Sequence, residues 1–261
     1  MVFRFRGRNG SIEVDVKIKV IRPASRQGTD AAFMAHSAGV TQAYAASGTV
    51  VETVFLDVGH HGGSMGGHLN EARIMANATA VVREVIAAEN GGWDAVFISG
   101  EYDVGAEFAR HVVKIPVIDA GTASLHAAAL LGDSALMLIT QASVASYARK
   151  LVKRWGMAEL VTAMTAWDLP LAEAWDRRGE IRDLTLTICR EAMARDDVNV
   201  ILPFCAVFVP FIVDPHEIED ALGLPVVNGV AVGLRTAEMF VDLRMSHSAK
   251  AYPRAPQAMW R

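Results

Sequence analysis

Trp93–Leu130, WDAVFISGEYDVGAEFARHVVKIPVIDAGTASLHAAAL, is the stretch on which the fold turns. It opens on Trp93–Ser99, apolar on both faces, and passes through a polar loop into a helical stretch, Gly105–Val113. The move then repeats with Ile115–Ala120 and Ala123–Leu131. A strand without a polar face is one covered by helices on both sides, as in parallel sheets. Strand–helix alternation of this kind marks an α/β protein. The same plan returns in Val198–Phe240, VNVILPFCAVFVPFIVDPHEIEDALGLPVVNGVAVGLRTAEMF. Two echoing units predict two pseudo-symmetric lobes, each a parallel β-sheet flanked by helices.

Outward from these units, strands are expected at Val14–Ile21, Thr49–Val58, Ser134–Thr140, Asn199–Cys205 and Pro225–Asn228. Helices are expected at Leu69–Glu89, Ser143–Trp155, Ile181–Arg195, Pro215–Ala221 and Val230–Leu243. No Pro- or Ser-rich linker interrupts the chain. The expected division is a first lobe of residues 1–122 with 244–261 and a second lobe of residues 123–243. Ligands of parallel sheets bind beyond the carboxyl ends of the strands. The loops to watch are therefore Ser99–Asp103 and Phe204–Ala206, which meet across one cleft if the lobes face each other.

Composition narrows the function classes. The 261 residues are 52% hydrophobic and 21% charged, which excludes a disordered chain and suffices for one large domain or two half-sized lobes. A net charge of −4 argues against nucleic acid as a partner, since phosphate contacts need clustered Lys and Arg. No apolar run reaches the roughly 18–20 residues that span a bilayer. The Met1–Arg8 start lacks a secretory apolar region, so a cytoplasmic protein without a membrane partner is expected. Two cysteines, Cys189 and Cys205, make no disulfide framework in a chain of this length.

IKVIRPAS (Ile18–Ser25), the Trp93–Gly132 segment, NVILPFCA (Asn199–Ala206), LPVVNGVAVGLRTAEMF (Leu224–Phe240) and SHSAKAYPRAP (Ser246–Pro256) together resemble the aspartate/glutamate/hydantoin racemase superfamily. The likeness is greatest to its hydantoin racemase and arylmalonate decarboxylase branches and covers most of the chain. It implies two facing α/β lobes, an active site in the cleft between them, no cofactor, no metal, and a homo-oligomer. It also implies strand-end cysteines that exchange a proton with the carbon next to a carboxylate or carbonyl.

Cys205 stands where the family's second-lobe cysteine lies, at the end of an apolar strand. A thiol of ordinary pKa near 8.5 needs only a modest downward shift to act as a base near neutrality. N–H groups at a following helix N-terminus would supply that shift and hold a developing enolate oxygen. The bland alternative is a small buried apolar thiol, which is what Cys189 is expected to be, within the amphipathic LTLTICREAMAR stretch.

In the first lobe the sequence departs from the family. Ser99-Gly100-Glu101-Tyr102-Asp103 has Gly100 at the expected cysteine position, as arylmalonate decarboxylases resemble it in having glycine there and one cysteine retained. Two-base racemization needs an acid on each face of the carbanion. Glu101 is the named candidate for the missing one, with Ser99 and Tyr102 beside it.

Other candidates are binding residues. Arg22 falls where many relatives carry a substrate-holding asparagine, and its guanidinium would grip a carboxylate. Thr140 and Gln141 end the Ser134 strand. Ala206 follows Cys205, and Asn228-Gly229 opens the last helix with free N–H donors. Thr122 replaces an acidic residue common in hydantoin racemases, which counts against a hydantoin ring as the substrate. The run Gly59-His60-His61-Gly62-Gly63-Ser64-Met65-Gly66-Gly67-His68 lacks the spacing of a zinc or phosphate motif and reads as an active-site flap, with a plain surface loop as the alternative. Trp155, Trp167 and Trp175 are expected to pack the second lobe.

The functional expectation is a cofactor-independent isomerase or racemase acting on a small-molecule carboxylate or cyclic amide. The alternatives are a one-cysteine decarboxylase of a malonate-like diacid and, in another class, a non-catalytic small-molecule binding protein.

Overall fold

The computed structural model describes residues 16–57 and 70–260. The expected flap, Gly59–His68, lies outside the described residues, as does Val14. In chain order the elements are β1 (Val16–Ser25), α1 (Ala31–Ala43), β2 (Thr49–Leu56), α2 (Glu71–Ala76), α3 (Ala78–Asn90), β3 (Ala95–Ile98), α4 (Ala106–Arg110), β4 (Val117–Asp119), α5 (Ala120–Leu131) and β5 (Ala135–Ile139). They continue with α6 (Ala145–Arg154), β6 (Ala163–Ala166), α7 (Leu171–Ala174), α8 (Arg178–Met193), β7 (Val200–Phe204), α9 (Pro215–Leu222) and α10 (Gly229–Asp242).

Two sheets form, ordered β2-β1-β3-β4 and β6-β5-β7, and every strand pair in them is parallel. The double-sided apolar runs have their predicted consequence. Ile18, Val20, Phe97, Leu136 and Leu138 enter one hydrophobic cluster, while Ile21, Val96, Ile98, Met137 and Ile139 enter another on the opposite faces. Helix α5 touches both β4 and β7, and α10 packs on α5 and on β1, β3 and β4. The fold is thus α/β with two helix-flanked parallel sheets. No helix among the described residues is long and apolar enough to cross a membrane.

Strand order also fixes where a crevice opens. From β1 the chain moves to β2 on one side, then crosses to β3 on the other. From β5 it moves to β6, then crosses to β7. Each sheet therefore has a switch point at which connections leave in opposite directions, and that is where parallel sheets bind ligands. The four strand ends concerned carry Arg22-Pro23, Ser99-Gly100, Thr140 and Cys205.

Three details differ from the sequence expectation. The helix expected at Leu69–Glu89 is two helices, α2 and α3, meeting at Asn77, while Leu69 lies outside the described residues. Asn77 keeps right-handed backbone angles (φ −87°, ψ −13°), so the apolar periodicity runs through the junction unbroken and conceals it. Its side chain leaves the helix to donate from Nδ2 to the Pro23 carbonyl at 3.0 Å. Pro225–Asn228 is an isolated bridge to Ile201, with Ile201 N–H donating to Pro225 O and Val227 N–H to Ile201 O, both at 2.9 Å. It stops because Asn228 turns to cap α10. Helix α1, rich in small residues, strand β6 (AMTA) and the short α7 add to the expected elements.

Candidate active site

The four strand ends close round one cleft. Arg22, Ser99, Gly100, Glu101, Tyr102, Thr140, Cys205 and Ala206 all line it. Gln141 and Asn228-Gly229 do not. Gln141 opens the short turn before α6, and the Asn228 side chain accepts from Ala231 N–H at 3.0 Å. The Thr122 hydroxyl donates to Asp119 at 2.6 Å, so it serves the start of α5.

The two loops are joined through Glu101. Its Oε1 accepts a hydrogen bond from the Ala206 N–H at 2.9 Å, reaching from the β3 end to the residue after Cys205. Glu101 is 6% exposed. Burial raises its pKa to about 7, against the opposing pull of its own and the Ala206 N–H groups and of the Arg22 charge. Gly121, in the first turn of α5, is required for this placement. A Cβ there would stand 2.2 Å from the Glu101 carbonyl oxygen, so only glycine lets the loop approach so closely.

Cys205 is 4% exposed. No helix begins behind it, contrary to the sequence expectation. The chain instead makes successive turns, with Val209 N–H bonded to Cys205 O at 3.1 Å, and the N–H groups of Phe208 and Val207 favour the thiolate. Burial and then the neighbouring Glu101 charge push the thiol pKa up, further than those two N–H groups pull it down. In the free protein burial therefore favours the protonated thiol over the thiolate. The Trp167 ring stacks on Phe208 at 4.5 Å between centroids and donates from Nε1 to Thr185, which braces this turn from behind. Cys189 sits wholly buried in α8, its thiol raised to about 12 by burial.

Arg22 is 5% exposed and held by the protein. Nη1 donates to Ser99 Oγ at 2.5 Å and Nη2 to Thr41 Oγ1 at 2.7 Å, and the guanidinium lies 4.0 Å over the Phe211 ring. Its Nε has no hydrogen-bond partner among the described residues. Burial lowers its pKa to about 9 against the pull of Glu101, which leaves it charged at neutral pH. The Tyr102 hydroxyl meets Thr140 Oγ1 at 3.2 Å, and its ring packs edge-on to Phe204 at 5.3 Å, a second tie between the loops. Burial raises the Tyr102 pKa, so it remains a neutral phenol.

Gly100 has open-region backbone angles but no spare room. A Cβ there would meet Pro23 Cγ at 2.5 Å. The Pro23 ring thus fills the space that a side chain on residue 100 would need. Sequence reasoning did not single out Pro23, Asn77, Phe33, Phe55, Ile74, Leu171 or Phe211, all of which line the cleft. Most are apolar residues in apolar runs, where nothing separates a cavity wall from core. The residue-22 to 25 register irregularity in β1 is the one local signal, and it is carried by Pro23 itself. Among the described residues no group of three or more His, Cys, Asp or Glu is placed to hold a metal.

Comparison with known proteins places these loops in context. A family model described as Asp/Glu/Hydantoin racemase matches residues 21–237, which include every strand end named above. Hydantoin racemase of Pseudomonas sp. (strain NS671) is 27% identical over 164 residues, 62% of this chain and 64% of that protein, so the match spans somewhat under two thirds of the relative's length. Allantoin racemase from Klebsiella pneumoniae superimposes with a TM-score of 0.80 at 24% identity, over 92% of this chain and 94% of that one. Arylmalonate decarboxylase superimposes with a TM-score of 0.57 at 19% identity, over 86% and 92%. Both structural likenesses are likenesses of fold.

Proposed function

Since the chain belongs to the Asp/Glu/hydantoin racemase family, we propose that it is a cofactor-independent isomerase acting at the carbon α to a carboxylate or amide carbonyl. Cys205 is one acid/base group, and Glu101 replaces the cysteine that Gly100 lacks. The observation that carries this reading is the convergence of Glu101 and the Cys205 loop, a buried carboxylate bonded to the N–H next to a buried thiol.

The chemistry follows from which group holds the proton. Above about pH 7 Glu101 is ionised and Cys205 is not. The carboxylate takes the α-proton, and the C–H electron pair moves onto the carbonyl oxygen as an enolate. The Arg22 Nε–H is available to that oxygen. The thiol then gives its proton to the carbon from its own side, and the Phe208 and Val207 N–H groups hold the thiolate that forms. One proton has left carbon for Glu101 and one has left sulfur for carbon. The reverse sense, with a thiolate base and a Glu101 acid, returns the pair to its starting state. Two like charges side by side in a buried site keep this pair at one proton.

One observation supports the decarboxylating alternative. Pro23 occupies the space beside Gly100, which leaves a single thiol, and expulsion of carbon dioxide from a malonate-like diacid needs only one proton donor. An isotopic experiment in deuterated water separates the readings. A 5-substituted hydantoin that gains α-deuterium and loses optical purity supports the isomerase. Stoichiometric carbon dioxide from phenylmalonate, with no exchange of the hydantoin, replaces it with the decarboxylase. Tight binding of either compound without product, unchanged in Cys205→Ala, leaves the binding-protein reading.

A further inference from the structure

Two buried polar atoms of cleft-lining residues have no partner among the described residues, and they are of opposite kinds. One is the Arg22 Nε–H, a donor; the other is Asn77 Oδ1, an acceptor. Both residues line the cavity, and Asn77 is only 1% exposed. They flank Pro23: Arg22 precedes it in β1, and Asn77 Nδ2 donates to its carbonyl at 3.0 Å. That bond decides which end of the amide is left without a partner. A carbonyl only accepts, so the atom against Pro23 O is the nitrogen, and the end left over is the oxygen. A buried acceptor left unmet costs more than a made bond returns, so native proteins rarely keep one without a reason.

We propose that Asn77 is a substrate-binding residue that accepts a hydrogen bond from an N–H or O–H of the ligand, while Arg22 Nε–H donates to a neighbouring ligand oxygen. The cleft therefore takes a molecule with a donor beside an acceptor on one edge, and an apolar substituent for the walls made by Phe33, Phe55, Ile74 and Leu171. A fully ionised diacid offers acceptors alone and leaves Asn77 unmet. This inference rests on reading the cleft as the substrate site and adds a residue and a chemical requirement to it.

The test compares binding of 5-benzylhydantoin, its N1-methyl and N3-methyl derivatives, and phenylmalonate to the full chain by calorimetry. Wild type is expected to bind the parent about tenfold or more tightly than one of the methylated compounds, the worth of one buried hydrogen bond. Asn77→Leu keeps bulk at the site and removes the acceptor, so the parent should weaken to the level of that derivative. Asn77→Ala is the second variant if Leu disturbs the fold, with circular dichroism and melting as the check. Retention of the ratio in the Leu variant would mean that bulk alone discriminates, and would overturn the proposal. So would equal binding of all three hydantoins by wild type, tighter binding of phenylmalonate, or binding of none of the probes. Deuterium exchange keeps the two readings apart. An Asn77-dependent ratio without exchange overturns the proposed isomerase alone, whereas exchange of all three hydantoins at equal kcat/KM overturns the Asn77 role alone.

Discussion

The ends of β3 and β7 are the same piece of architecture put to different uses. Each strand is wholly buried, AVFI in one and VILPF in the other, and each delivers its next residues into the cleft at a sheet's switch point. At the β7 end the reactive group comes immediately, as Cys205. At the β3 end Gly100 brings none, Pro23 fills its space, and the ionisable group arrives one residue later as Glu101. A pseudo-symmetric frame thus carries an asymmetric pair, a carboxylate raised to about 7 and a thiol raised above its ordinary range. The lesson is that the repeat fixes where the strand ends open on the cleft, and single residues decide which groups stand there.

The largest break in this comparison is removal of the β7 group. Cys205→Ala is expected to cut the rate of inversion roughly 10²–10⁴-fold, the worth of a positioned acid/base, with melting behaviour unchanged. Loss of optical rotation reads it, and a variant with wild-type turnover removes the thiol from the mechanism.

Removal of the β3 group comes next. Glu101→Gln keeps an oxygen for the Ala206 N–H and cannot ionise, so inversion of configuration should fall roughly 10²-fold or more. The same substitution should stabilise the fold in alkaline buffer. Between pH 4.5 and about 7 the unfolded chain has lost this proton while the folded chain keeps it, so wild-type stability declines as pH rises through that window. The penalty is fully present above about pH 7 and is on the order of 3 kcal/mol. Denaturation at pH 8 and at pH 4 should therefore show a gain for Glu101→Gln at the higher pH alone. In wild type, kcat/KM should rise through a pKa near 7, and a pH-independent profile would show that Glu101 is not the base.

Arg22→Lys is a smaller perturbation. The ammonium keeps the charge yet cannot bond Ser99 and Thr41 and still present an Nε–H. Loss of one charge-assisted bond of about 1.5 kcal/mol predicts about tenfold lower kcat/KM. Equal kinetic constants would take Arg22 out of the site.

Much of this was legible in the residues. Double-sided apolar runs gave the parallel sheets, since such a run has no other place to sit, and the strand-end rule located Ser99, Gly100, Glu101, Thr140 and Cys205. Helix α1 was harder, because its Ala, Gly and Ser content blurs any apolar stripe, and its start depends on Asp30 capping Phe33 N–H. The break at Asn77 leaves no trace in the periodicity, for the junction keeps helical angles. The direction of the Cys205 shift was not legible either. It is set first by burial of the thiol and then by the Glu101 charge, and only the folded cleft brings the two together.

The finest test of the comparison is to make the β3 end like the β7 end. Gly100→Cys alone should give little first-face chemistry, because its Cβ would stand 2.5 Å from Pro23 Cγ and one of the two must move. Gly100 itself is no obstacle, since its φ is not in the left-handed region. Pro23→Ala removes the ring but keeps the carbonyl to which Asn77 donates, so the double variant opens the space without unpinning α3. Two thiols would then face one carbon from opposite strand ends, and racemization by Gly100→Cys with Pro23→Ala should exceed that of Gly100→Cys severalfold. Adding Glu101→Gln sharpens the reading. If the second thiol truly takes over the first face, the triple variant keeps the gain, whereas a triple variant as slow as Glu101→Gln alone would show that the β3 end addresses the substrate only through residue 101.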